Sequence, residues 1–332
     1  MRVKRSLILF VFLQVALLSA APSRTVYEFC GKLLLGNGAT IRGLKVNVVL
    51  QGASTPFITR TLADPAGAFK FSNLQSGTYV LIVAHEHLGE LRRTVEIGPS
   101  FADAAGRISA NVKWEPRPIE EKAFTISAAS LSVSDHAHQL YLGALDLLGK
   151  RDVEGATHRL EEVVQTAPQF VSAWSYLGSI AYQSHQFARA ELCFREAYGL
   201  DPASSLTLVN MGGVLLSEHK FEEALPFNLQ AVRAAPNDAL ARSQLGLNYF
   251  RLGNEGEAET QLKEAKKSDP AHFSYPQLIL SSIYKDRKDY PGMIAELEEF
   301  LRLHPDSNIA DAVRVSLTAA RQAQDAHSLA KN

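Results

Sequence analysis

Two periodicities divide the chain. Between residues 26 and 114, apolar and polar side chains alternate in short runs, the period of two that puts every second residue on one face of a strand. From residue 135 onward the apolar positions recur at spacings of three and four, as on an amphipathic helix. The first stretch predicts about seven strands. A run at 26–35 ends in Gly36, Asn37 and Gly38, a hairpin signal. Runs at 43–50, with Val46, Val48 and Leu50 on one face, and at 57–62 follow. Asp64, Pro65, Ala66 and Gly67 read as a turn, after which Phe69 and Phe71 flank Lys70 and point the same way. Runs at 78–84, 91–97 and 108–114 complete the set, and strands this short at this spacing favour an antiparallel sandwich over residues 24–115.

Residues 116–134 read as a linker. Pro116 and Pro118 stiffen its start, Ser127, Ser130, Ser132 and Ser134 alternate with small apolar residues, and Asp135 is the expected N-cap of the first helix. Beyond it lies a repeat. Pro168, Pro202, Pro236 and Pro270 stand 34 residues apart, and a fifth unit one residue longer ends at Pro305. Around each proline the same residue types return at the same offsets. One unit carries Trp174, Leu177, Gly178, Ala190, Phe194 and Ala197, the next Leu208, Met211, Gly212, Ala224 and Ala231, and the next Leu245, Gly246, Tyr249, Ala258, Leu262 and Ala265. The first unit, with Leu140, Ala144, Leu147, Ala156 and Leu160, is looser. Each unit is then two antiparallel helices that bury their apolar faces only by stacking on neighbours. The glycines allow the paired helices to approach, and the prolines stop them. Pro226, inside a predicted helix, is the departure. Residues 135–305 give five units, and residues 306–326 a capping helix with Asp306 or Ser307 as its N-cap.

This period and pattern resemble the tetratricopeptide repeat (TPR) family. The first module resembles the carboxypeptidase-regulatory-like β-sandwiches through Asp64, Gly67, Phe69, Phe71, Leu74, Gly77 and Tyr79, together with Gly31 and the segment 43–46. The fold expected is an all-β sandwich of immunoglobulin or transthyretin type followed by an all-α TPR superhelical solenoid. Both resemblances imply scaffolding and partner binding rather than catalysis.

Charge and cysteine content narrow the function. The 34 Lys and Arg nearly balance the 35 Asp and Glu, which argues against a nucleic-acid binder. Two cysteines, Cys30 and Cys193, one per module, do not make a disulfide framework. Residues 1–5 are basic, 7–18 almost wholly apolar, and Ser19, Ala20 and Ala21 small. That is a secretory leader over 1–21, with an uncleaved anchor as the alternative, and no later segment is apolar enough to span a membrane. The expected location is therefore periplasmic or extracellular, in a bacterium.

The TPR resemblance implies a concave groove lined by the first helix of each unit. Counting along the units places Tyr141, Leu145, Leu148, Tyr182, Leu206, Val209, Leu216, Leu240, Leu247, Phe250 and Arg251 there. This set is mostly apolar and lacks the Lys, Asn and Arg clamp for a carboxylate that some members carry. It suits an apolar helix or an extended segment of a protein partner, and part of it also fits internal packing of a tightly wound superhelix. His85 and His87 share a strand face, but a third metal ligand is not evident and two turn histidines is the favoured reading. No phosphate loop, nucleophile elbow or zinc motif occurs, and the pairs Glu161–Glu162, Glu222–Glu223 and Glu298–Glu299 recur along the array as solvated helix faces would. The sequence thus predicts an exported, non-catalytic scaffold without cofactors, with the sandwich positioning the array. A carbohydrate-binding accessory protein that uses the sandwich on a polysaccharide is the alternative.

Overall fold

The computed structural model describes residues 26–36, 41, 44–85, 88–115 and 133–329. The expected leader, the turn after Gly36, His87 and most of the linker lie outside these residues. Seven strands form two packed sheets: β1 (Tyr27–Leu35), β2 (Asn47–Gly52), β3 (Ile58–Leu62), β4 (Ala68–Leu74), β5 (Gly77–His85), β6 (Gly89–Ile97) and β7 (Arg107–Trp114). One sheet has the order β4-β1-β7 and the other β3-β2-β5-β6. The expectation of a wholly antiparallel sandwich needs one correction. The chain's first and last strands lie side by side, and β1 and β7 run parallel from Glu28↔Arg107 to Leu35↔Trp114.

Alternation decides the core. Phe29, Leu33, Val48, Leu50, Phe69, Phe71, Leu74, Leu81, Val83 and Trp114 interdigitate between the sheets. The motif residues each have a mechanical part. Asp64 accepts hydrogen bonds from the backbone of Ala66 and Ala68, each at 2.8 Å, and Gly67 takes a φ of 85° that a side chain would resist. Tyr79 packs its ring inward and donates its hydroxyl to the Gln75 carbonyl at 3.0 Å. Gly31 faces Phe69 across the β1–β4 pair; a Cβ on it would stand 1.9 Å from the end of the Phe69 ring.

Helices follow in pairs: α1 (Asp135–Gly149) and α2 (Val153–Thr166), α3 (Val171–Gln183) and α4 (Phe187–Leu200), α5 (Ser205–Ser217) and α6 (Phe221–Ala234), α7 (Ala239–Arg251) and α8 (Glu255–Ser268), α9 (Pro276–Asp286) and α10 (Tyr290–Leu303), then α11 (Ala310–Leu329). Ser134, one residue earlier than expected, is the N-cap of α1 and accepts from the Ala137 amide; Asp135 is the first helical residue. The final helix begins later than expected, at Ala310, with its amide on the Ser307 carbonyl. Asp306 is not its cap, because its carboxylate is engaged on the sandwich. Helix α6 runs through Pro226.

Within units the glycine argument is quantitative. A Cβ on Gly178 would meet Phe194 at 2.3 Å, one on Gly212 would meet Asn228 at 1.9 Å, and one on Gly246 would meet Leu262 at 2.7 Å. These positions recur every 34 residues, so one steric rule sets the approach of each pair. Gly31→Ala tests the same kind of contact in the sandwich. Phe69 is held edge-on by Phe29 and Phe71, with centroids 5.8 and 6.0 Å away, and cannot swing aside. The substitution is expected to lower unfolding free energy by about 1–3 kcal/mol, the usual cost of overpacking, measured by urea denaturation.

Candidate partner-binding groove

The helical pairs stack in register, so equivalent residues form columns. The turn between the two helices of a unit shows this most directly. Arg151, His185, His219 and Lys288 all adopt left-handed backbone, with φ of 63°, 58°, 62° and 59°, and Gly253 fills the same place in the fourth unit at 84°. His185 and His219 lay their rings edge-on against Phe187 and Phe221 two residues on. Ion pairs bridge successive units: Arg189 to Glu161, Lys220 to Glu191, Arg287 to Glu259, and Lys266 to Glu296 and Glu299. Burial would raise the Glu191 carboxyl, but hydrogen bonds from Lys220 and Arg195 hold it at about 2. Of the glutamate pairs expected to be merely solvated, Glu161, Glu162, Glu298 and Glu299 carry ion pairs, to Arg189, Arg159, Arg321 and Lys266.

The proposed groove residues divide by burial. Leu148, Val209 and Leu216, at 2%, 5% and 7% exposure, lie inside the apolar clusters and offer no free surface. Tyr141 and Leu145 are half-buried against the core of the first two units. The Tyr141 ring packs on Phe170 at 4.9 Å and Tyr176 at 5.8 Å, and burial pushes its hydroxyl well above the ordinary tyrosine range. Tyr182 shares a 2.8 Å hydrogen bond with Ser217 of the next unit. Leu240, Leu247 and Phe250 are half-buried on three separate clusters. Leu206, at 43%, is exposed, and Arg251 is exposed with its guanidinium 5.9 Å from the Phe221 ring. The eleven therefore do not form one continuous open stripe.

What meets this side of the array is the sandwich. The outer face of the sheet β3-β2-β5-β6 carries Val49, Ile58, Val80, Ile82, Thr94 and Glu96 in facing register. At one end Ile58 and Val49 join the apolar cluster of units one and two. The Ile58 carbonyl lies so near Gly149 that a Cβ there would approach it to 2.9 Å. Arg151 sets its guanidinium 4.5 Å above the Phe57 ring and donates to the Tyr79 hydroxyl at 3.4 Å. Gln183, at the end of α3, donates to the Gly52 carbonyl at 3.3 Å. At the other end the edge strand β6 is sealed by units four and five. The Thr94 amide donates to Asp269 at 2.8 Å, Arg93 to the Ser268 carbonyl at 2.9 Å, and the Ser100 hydroxyl to Asp306 at 2.6 Å. The buried His304 ring donates through Nδ1 to Glu96 at 2.8 Å. Burial raises the Asp269 carboxyl despite the Thr94 hydrogen bonds and the Arg93 charge, and burial lowers His272 beside it to about 3.

Other chemistry is sparse. Among the described residues no group of three His, Cys, Asp or Glu could hold a metal ion. Trp114 is 2% exposed, and among the described residues Phe101 is the one aromatic ring among the strongly exposed large apolar side chains, so the described part of neither sheet presents a ring platform. Cys30 is half-buried and Cys193 buried, and both are free thiols. A cavity of about 280 Å³ lies beside Cys30, and one of about 530 Å³ between α2 and the second unit, lined by Glu154, His158, Glu161 and Arg189. No described helix is long and apolar enough to cross a membrane.

Tetratricopeptide-repeat family models match residues 141–205 and 239–272. The helical half is built of tetratricopeptide repeats. A TPR repeat-containing protein of Pseudomonas aeruginosa is 24% identical over 156 residues, 46% of this chain; the chain spans 26% of that relative's length. Among solved structures, residues 41 to the end of MamA from Desulfovibrio magneticus RS-1 superpose with a TM-score of 0.47 at 21% identity, covering 53% of this chain and 99% of that one. Pseudomonas aeruginosa PilF gives 0.49 at 18%, covering 57% and 87%.

The docking contacts were not legible in the TPR pattern. Gln183 directly follows the counted groove position Tyr182, whereas Gly149 and Arg151 sit at the turn within unit one and Asp269 and His304 at the ends of second helices, outside the counted set. The turn column gives a direct check. Lys288→Gly relieves a left-handed residue that no sandwich contact requires, and is expected to raise stability by up to about 1 kcal/mol. Arg151→Gly relieves the same strain but forfeits the Phe57 and Tyr79 contacts, so its melting temperature is expected to fall below that of Lys288→Gly.

Proposed function

We propose that this protein is an exported, non-catalytic scaffold whose TPR array holds a protein partner on the face lined by its first helices, with the sandwich, of carboxypeptidase-regulatory-like type, positioning the array. One observation carries the reading. The array already holds a folded protein surface, the outer sheet of the sandwich, through contacts with units one and two and with units four and five. TPR arrays in general act as protein-interaction scaffolds, and stacked units supply a long surface without a catalytic cleft. The counted positions that keep some open surface are Tyr182, Leu206, Leu240, Leu247, Phe250 and Arg251, and their mostly apolar character suits a helix or an extended segment with aliphatic anchors. The basic and apolar N-terminal run supports export.

Leu206→Asp is the variant of choice, because an exposed leucine can be replaced without opening a core. Wild type and variant, matched by circular dichroism and expressed with the natural N-terminus in a bacterial host, serve as baits on an envelope extract. The expected result is recovery from the periplasm, with a mass reduced by the first 20 or 21 residues, and a protein retained by the wild type alone. Cytoplasmic recovery at full mass overturns export, and identical captures by both baits overturn the groove assignment.

A further inference from the structure

We propose that the docked sandwich is the array's own ligand and keeps it closed, so that the covered part of the first-helix face becomes available to another protein only when the sandwich leaves. This rests on the scaffold reading above and adds its regulation.

Three features of the junction support release rather than permanent fusion. First, the two modules have separate cores. The sandwich cluster draws only on residues between Tyr27 and Trp114, and three of the four helical clusters draw only on the array. Only Ile58 and the adjoining Val49 cross over, into the cluster of units one and two, and neither belongs to the sandwich core. Separation would leave the sandwich core intact and withdraw only Ile58 and Val49 from the cluster of units one and two.

Second, the far end of the seam is polar and incompletely satisfied. His304 Nε2 is buried without a hydrogen-bond partner, and Asp269 Oδ1 has only the Arg93 guanidinium, 4.0 Å away, at the same junction. Buried polar atoms left poorly matched weaken a contact by the desolvation they have undergone, and water would satisfy both on opening. The buried Asp269 carboxylate, disfavoured by its surroundings, adds to the same deficit. Third, the remaining contacts are individually modest. Arg60–Asp146 is an exposed pair at 3.6 Å, and the Ser100–Asp306 contact is also at the surface.

The test uses the full chain in two variants. Ser100→Cys/Asp306→Cys replaces a 2.6 Å side-chain contact with a pair able to form a disulfide and lock the docked state. Ile58→Glu/Asp306→Arg places charge at both ends of the seam; Ile58 lies outside the sandwich core and joins the apolar cluster of units one and two only from across the seam. Small-angle scattering, binding of the apolar dye anilinonaphthalene sulfonate and far-ultraviolet circular dichroism are read for each. The expected result is a quantitative disulfide and wild-type dimensions in the first variant. In the second, a larger radius of gyration, several-fold higher dye fluorescence and unchanged helix and strand signals are expected. The idea is overturned if the cysteines do not pair, if the charged variant keeps wild-type size and dye binding, or if it loses secondary structure, since the modules would then share one cooperative core. Any protein that binds the covered part of the first-helix face is also expected to bind the charged variant more tightly than the locked one. Equal capture by both would remove the closure while leaving the scaffold reading intact.

Discussion

The close approach of paired helices at a single small residue governs the helical half. Gly178, Gly212 and Gly246 each leave room for a side chain from the partner helix, with clearances that a single added methyl would abolish. That approach fixes the geometry of one unit, and repetition every 34 residues multiplies it into a curved stack. The ion pairs between units, Glu161–Arg189, Glu191–Lys220 and Glu259–Arg287, then hold successive pairs at one relative rotation. A surface built this way is rigid over several units. It can therefore meet a rigid object of comparable size, and the outer face of a four-stranded sheet is such an object.

The two ends of that meeting differ in kind. Near units one and two the contact is apolar and aromatic: Ile58 and Val49 enter a core cluster, and Arg151 stacks on Phe57. Near units four and five it is hydrogen-bonded, and the donors and acceptors come from β6, an edge strand. Sealing an edge amide with Asp269 has a structural benefit of its own, because an open edge invites pairing with other chains. The same carboxylate suffers for it, since it is buried beside a guanidinium that stays 4.0 Å away.

Much of the fold was legible because it rests on local rules. Alternation gave the seven strands, the Asp64–Gly67 turn gave the crossing from β3 to β4 in the other sheet, and the proline spacing gave the units with their glycines. What escaped was non-local. The parallel β1–β7 pairing joins residues some eighty positions apart and leaves no local trace. Asp306 looked like a helix cap because its sequence neighbours fit one, yet a serine 206 residues away claims it. The groove was half legible for the same reason. Period counting finds which residues lie on the first helices, but burial within a stack depends on neighbours in adjacent units, and Leu148, Val209 and Leu216 turned inward.

The third unit departs from its neighbours in a way that bears on the whole stack. Where the second and fourth units place Phe194 and Leu262 against the glycine, the third places Asn228, fully buried, two residues after Pro226. Asn228 donates to Asn248 of the fourth unit, and Asn248 donates in turn to the Phe221 carbonyl. An apolar contact at this seam would tolerate small slips in register, whereas a chain of directed hydrogen bonds does not. The Asn228 carbonyl, buried without a partner, makes the seam less stable than an apolar one would be. Units three and four are thus joined by a directed polar chain alongside the apolar cluster of Leu208, Val209, Phe227, Leu240 and Ala241, at the junction between the half of the array that grips β3 and the half that seals β6. The placement of that polar seam ties the relative position of the two grips to one specific helix–helix register.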